Sequence, residues 1–179
     1  MRVIPITPFA VAALLGCWWL AACGTVPGAA LLPGALGAAD EVEVSEIRRL
    51  PQCAAASDAV AVELIADADA LRDWQQARGV DLIGAAALPA GPFAVIDHGN
   101  RTRDGNGLAV SRRAVQRGQT LKLTASFLSP KPDEPGSDAP SSPCVLVKLP
   151  AGRYDRIEVV DPAGRRRAVT ATVTAAPPR

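Results

Sequence analysis

The sequence predicts an α+β fold, mostly antiparallel β-sheet or sandwich, with one early helix over about 67–78. Three observations carry that expectation. Short apolar runs recur between turn signals along most of the chain, several of them alternate apolar and polar residues, and one stretch alone combines helical spacing with both caps. With 179 residues and an apolar share of 49%, the chain has material for one folded domain of ordinary size.

The first 22 residues read as a signal. Arg2 precedes an uncharged apolar run over 3–22, the n-region and h-region pattern of secretory targeting. A membrane-spanning helix is the competing interpretation. Pro5 and Pro8 break its early part, and the 14 residues of 9–22 would rise only about 21 Å, short of a bilayer core. Residues 23–40 follow as a flexible tether. The stretch 24–39 is uncharged and holds four glycines and two prolines, a linker composition that reaches about 20–25 Å on average.

The body is expected to span 41–176. In 41–50 the alternation of Val42 and Val44, followed by Ile47, suits a half-buried strand, and 58–66 places Val60, Val62 and Leu64 on one face. The helix comes next, with Asp67 as its N-cap, Ala70, Leu71 and Trp74 at helical spacing, Arg78 in the last turn and Gly79 as the stop. Trp74 reads as a core anchor of that helix rather than a ligand platform. Strands are then expected in 80–88, 92–98, 107–115, 120–128, 144–149, 154–161 and 167–175. Between them, 129–143 holds five prolines and no apolar pattern, which predicts a mobile surface loop, either a spacer or a partner site.

Of the four cysteines, Cys17 lies in the signal and Cys23 directly after it, so the body keeps Cys53 and Cys144. In an oxidising compartment an even pair without Cys-x-x-Cys spacing reads as one structural disulfide. Free thiols, a redox pair or a metal pair are the alternatives. A metal set could be extended only by His98, the sole histidine, and structural zinc takes four protein ligands. The expectation is no metal and no cofactor.

The run Asp104-Gly105-Asn106-Gly107 resembles part of a calcium loop, yet alignment on Gly107 puts Thr102 at the first ligand position and Arg113 at the twelfth. Arg101, Arg103, Arg112 and Arg113 also oppose a divalent cation. The expectation is instead a tight hairpin turn between the strands at 92–98 and 107–115. Asp97 and His98 are the one acid–histidine pair, but neighbours in a strand point to opposite faces, and no Gly-x-Ser-x-Gly or His-Glu-x-x-His accompanies them. A hydrolase using Asp97 and His98 is therefore the lesser alternative. Arg165, Arg166 and Arg167 follow a turn and read as a solvated strand start. Lysine plus arginine total 19 against 18 acidic residues, and without Arg2 the balance is 18 to 18, which gives no electrostatic basis for nucleic-acid binding.

Two resemblances add to this reading. Leu20-Ala21-Ala22-Cys23 resembles the lipobox of bacterial lipoproteins, which implies cleavage before Cys23, its acylation and membrane attachment through it. Leu14-Leu15-Gly16-Cys17 is the weaker box. Gly24, in place of a retaining Asp, implies sorting to the outer membrane with the body facing the periplasm. The second resemblance covers about 90–150: "HGNRTRDGNGLAV" and, after a gap, "SSPCVLVKLP" are similar to the C-terminal domain of the protease complex subunit PrcB family. Gly99, Arg101, Gly105 and Gly107 fall in its turn, and Pro143, Val147, Lys148 and Pro150 in its closing segment. Thr102, Arg103, Asp104 and Asn106 depart from its Pro-Thr-Gly and Tyr. That resemblance implies a non-catalytic envelope lipoprotein that binds or stabilises a protein partner, with a protease complex as the partner it suggests. Small-ligand or glycan binding is the alternative, for which the body offers Trp74, Phe93, Phe127 and Tyr154.

Overall fold

The structure, a computed structural model, describes residues 38–84, 87–131 and 138–170. The signal, Cys23, the tether up to residue 37, residues 132–137 of the Pro-rich stretch and the strand expected at 171–175 lie outside the described residues.

Among the described residues, nine strands form two sheets. β1 (Asp40–Glu43), β5 (Gly107–Arg117), β6 (Thr120–Leu128), β8 (Arg156–Val160) and β9 (Arg166–Val169) build a five-stranded sheet in the order β1-β5-β6-β8-β9. β2 (Ser45–Leu50), β3 (Ala61–Ile65), β4 (Phe93–Asp97) and β7 (Cys144–Lys148) build a four-stranded one in the order β2-β7-β4-β3. Neighbours are antiparallel except β6 and β8, which run parallel. Parallel neighbours need a long crossover, and here β7, a strand of the other sheet, lies within it.

Side-chain alternation explains why the sheets stack. Ala94 and Ile96 of β4, with Val145 and Val147 of β7, face Leu108, Leu121, Leu123, Ile157 and Val159 of the larger sheet in one core. The residues between them, Phe93, Val95, Cys144 and Leu146, face the other way. They pack with Cys53, Leu71, Leu82 and Ile83 in a second core beneath α1 (Ala68–Arg78). β4 is consequently buried along its whole length, which is why 92–98 reads as a continuous apolar run rather than an alternating one.

The helix matches its expected ends. The Asp67 carboxylate accepts from the amides of Asp69 at 3.0 Å and Ala70 at 2.9 Å. Gly79 turns left-handed at φ 66° while Val80 N–H reaches the Gln75 carbonyl at 3.1 Å, closing the last turn as a Schellman motif. Leu71 is buried, and Trp74 packs against the second core while donating from Nε1 to Glu63 at 2.9 Å. No helix among the described residues is long and apolar enough to cross a membrane.

Several local expectations give way. The stretch 41–50 is two strands in different sheets, joined where buried Val44 passes between them and donates to the Arg112 carbonyl at 2.8 Å. Val42 and Val44 share one parity and Ile47 has the other, so the break in alternation marks that crossing. Asp40, assigned to the tether, belongs to β1. The described residues of 80–88, namely 80–84 and 87–88, form no strand: Asp81 accepts from Gly84 N at 2.7 Å, Gln75 Oε1 accepts from Ile83 N at 2.6 Å, and the bend delivers Leu82 and Ile83 to the second core. An apolar run without alternation carries no information on which form it takes. The hairpin expected around 104–107 is also absent. β4 and β5 belong to different sheets, and the tight turn lies instead at Gly118-Gln119, where Arg117 pairs with Thr120.

The arginine triplet is an exposed strand start, as expected, with Arg166 opening β9 and all three side chains reaching solvent. Asp161, which accepts from Ala163 N and Arg165 N in the β8–β9 turn, also receives Arg165 Nε at 2.8 Å and has Arg167 Nη1 at 3.7 Å.

Candidate functional site

The loop 98–106 crosses from one sheet to the other, and the end of the Pro-rich stretch lies alongside it. Arg101 N–H donates to the Ser141 carbonyl at 2.7 Å and Ser141 N–H to the Arg101 carbonyl at 3.0 Å, an isolated antiparallel bridge. His98 N–H donates to the Pro143 carbonyl at 2.8 Å, and Ser141 Oγ and Asn106 Nδ2 both donate to the Arg103 carbonyl, at 2.8 and 2.7 Å. Ser142 reaches the opposite way: its Oγ accepts from Cys53 N at 3.0 Å and Ala55 N at 3.2 Å. Residues 141–143 are thus buried and fixed, contrary to the expectation of mobility over all of 129–143. Serine is small enough to enter the interior, and its hydroxyl satisfies backbone groups that the loops leave open.

Gly99 is the residue that permits this crossing. It stands at φ +86°, and a Cβ there would lie 2.5 Å from the Asp58 carbonyl oxygen, while the next residue donates from Asn100 N to the Ser57 carbonyl at 2.9 Å. Gly99→Ala is expected to destabilise the domain by about 1–3 kcal/mol, the range for a non-glycine residue held in such a conformation, with further cost from moving backbone. Urea unfolding of the variant against the parent measures it. Gly105 also has positive φ, at +76°, whereas Gly107 opens β5 against Leu128 in ordinary strand geometry.

The disulfide lies beside the junction. Cys53 and Cys144 are bonded, both fully buried, 5.8 Å apart at Cα and 91 residues apart in sequence. Asp97 pairs with Cys144 across β4 and β7, and a carboxylate oxygen lies within 4.8 Å of both sulfurs. Bridged sulfurs are not thiolates, so in this state the three residues are not a ligand set.

Asp97 itself is 2% exposed and receives Arg78 Nη1 at 2.8 Å on Oδ2, while Oδ1 has no hydrogen-bond partner. Burial pushes its carboxyl above the ordinary 3.8, Arg78 pulls it back, and Glu63 adds to the rise. Arg78 also pairs with Glu63 and stacks 4.5 Å from the Trp74 ring centre. This Glu63–Arg78–Asp97 chain escaped sequence reasoning, although Arg78 at i+4 from Trp74 in the last helical turn was a usable signal.

His98 packs its ring 5.2 Å from that of Phe127, whose face carries Arg167 at 4.7 Å. Its Nδ1 is buried without a partner. Burial, then the charges of Arg101 and Arg167, lowers its pKa from 6.5 to about 4. The folded chain therefore refuses a proton that the unfolded chain accepts, so this contribution to stability is full above pH 6.5 and is lost as pH falls towards 4. His98→Gln is expected to flatten that part of the stability profile, measured as Tm against pH, and the parent imidazole is expected to titrate near pH 4 by NMR.

An open cleft of about 330 Å³ lies at the outer side of this junction, lined by Arg101, Thr102, Arg103, Asn106, Ser129 and Pro130. Gly99, Arg101 and Pro143 thus meet at one end of the sandwich together with the disulfide. Lys148 does not: it pairs with Phe93 at the far end of β7, with Nζ bonded to the Leu149 carbonyl at 2.8 Å and 5.5 Å from the Phe93 ring centre. No family model, curated protein or solved structure matches the chain.

Proposed function

We propose that the chain is a non-catalytic, lipid-anchored envelope lipoprotein whose body binds or stabilises a protein partner. The observation that carries this reading is the junction of two loops. Arg101 and Ser141 belong to the two segments similar to the PrcB family, lie 40 residues apart in sequence, and join through paired backbone hydrogen bonds beside an open cleft. Loops positioned by a rigid sandwich and pinned at their base are where binding surfaces commonly sit.

The disulfide fits an oxidising, exported setting such as the periplasm, in keeping with attachment through Cys23 at the outer membrane. Two acyl chains would be needed for lasting attachment, since one gives only marginal binding. Against the hydrolase reading, the Asp97 carboxylate is engaged by Arg78 and the buried Ser141 and Ser142 hydroxyls are engaged by backbone groups, so these three residues are not arranged as a relay around His98. The glycan alternative draws little from the aromatics, because Phe93 and Tyr154 are core residues.

Two measurements test the proposal. Labelled palmitate is expected to enter the parent protein and to be lost with membrane attachment in Cys23→Ser; unchanged fractionation of that variant would remove the anchor. Crosslinking and affinity purification from the native envelope is expected to recover a stoichiometric protein. Recovery of none would remove the partner.

A further inference from the structure

We propose that the cleft between Arg101 and Arg103 is a carboxylate-binding site whose ligand is an acidic side chain or terminal carboxylate of the protein partner. Its identity as a partner group rests on the partner-binding reading above; the site itself rests on the geometry of the two arginines.

Among the described residues, the Nε atoms of Arg101 and Arg103 are both buried and neither has a hydrogen-bond partner. An unpaired buried donor is costly, the more so when charged, and a small shift of either side chain into the cleft that both residues line would present it to an arriving acceptor. Arg101 is held in place by its own Nη2, which donates to the His98 carbonyl, and by the backbone bridge to Ser141. Arg103 is held by its carbonyl, which accepts from Ser141 and Asn106. The Arg101 guanidinium and the main chain that carries Arg103 are therefore preorganised, which lowers the ordering cost of binding. The guanidinium fork suits a planar carboxylate, which can take two parallel N–H bonds.

The molecule carries its own example of that chemistry. Asp138 places Oδ1 3.6 Å from Arg103 Nε, beyond hydrogen-bonding distance, on a side chain that is 96% exposed. Such a pair contributes little and is readily exchanged for a closer carboxylate. Beneath the cleft, His98 senses the charge of Arg101 from below, and Arg167 approaches it from β9 across Phe127.

The full chain in detergent micelles would be titrated with a tetraglutamate peptide, a tetraglutamine peptide amidated at its C-terminus, and inorganic phosphate. Tetraglutamate alone is expected to bind, with affinity falling on the order of tenfold in Arg103→Gln, as loss of one charge-assisted hydrogen bond implies. Arg103→Lys, which keeps the charge but not the fork, is expected to fall between. Binding is also expected to raise the His98 pKa, because a carboxylate offsets Arg101; NMR of the single histidine reads this in the parent without any substitution. Equal affinity in parent and Arg103→Gln, an unmoved His98, or phosphate binding in place of the peptide would each overturn the site. In envelope pull-downs, unchanged partner recovery by Arg103→Gln would overturn this assignment while leaving the partner reading standing. Peptide binding without any partner would do the reverse.

Discussion

Replacing Cys53 and Cys144 together with alanine is expected to cost about 4–5 kcal/mol of stability, the largest effect of any change considered for this domain. The magnitude follows from the 91-residue separation, since a crosslink that closes a long loop removes more freedom from the unfolded chain. For a body of this size, that corresponds to a fall in Tm on the order of 15 °C. The structure adds a local reason. Cys53 lies in an irregular segment held through Ser142, and Cys144 opens β7, so the bridge ties the loop junction to the central strand pair. Thermal unfolding with and without reductant, followed by the double variant, measures it. A difference under 2 kcal/mol would mean that packing of the second core holds this end without the bond.

Arg78→Met is expected to cost about 3–5 kcal/mol at neutral pH, because it leaves the Asp97 carboxylate buried beside the disulfide with no counter-charge. The loss carries a pH signature. Burial already raises the Asp97 carboxyl above 3.8, so its contribution to stability is fullest below that value and declines as pH rises through the folded value. Removing the guanidinium raises the folded value further and deepens the decline. The gap between variant and parent should therefore widen from pH 4 to pH 7 in chemical denaturation. Adding Asp97→Asn to Arg78→Met is expected to recover most of the loss, and a gap independent of pH would assign the role of Arg78 to its packing on Trp74 instead.

Much of the local structure was legible because its causes are local. Asp67 and Gly79 end α1 through bonds to residues two to five positions away, so their identity announces the helix wherever it packs. Alternation in 120–128 identified β6, since Leu121, Leu123 and Ala125 face one core. Cysteine number and spacing pointed to the bridge that joins Cys53 to Cys144.

The candidate site was legible only in pieces. The glycines and arginines of 99–107 drew attention as a turn, first as a metal loop and then as a hairpin, and both readings assumed that its meaning lay within the stretch. What defines it is Ser141, forty residues away, and the different sheets to which β4 and β5 belong. Composition likewise hid the buried chain of Glu63, Arg78 and Asp97, because charged residues on a helix end and a strand read as solvated until packing brings them together.

The sequence by itself determined where the helix and most of the strands form, how the helix is capped and which cysteines could pair, all consequences of period, backbone preference and residue chemistry acting over a few residues. Only the tertiary structure decided which sheet each strand joined, that β6 and β8 run parallel, and that Arg101 and Arg103 share a cleft. Those outcomes depend on burying two faces of β4 and β7 at once, between the larger sheet and the helix. Burial of that kind is a property of surfaces brought together from distant parts of the chain.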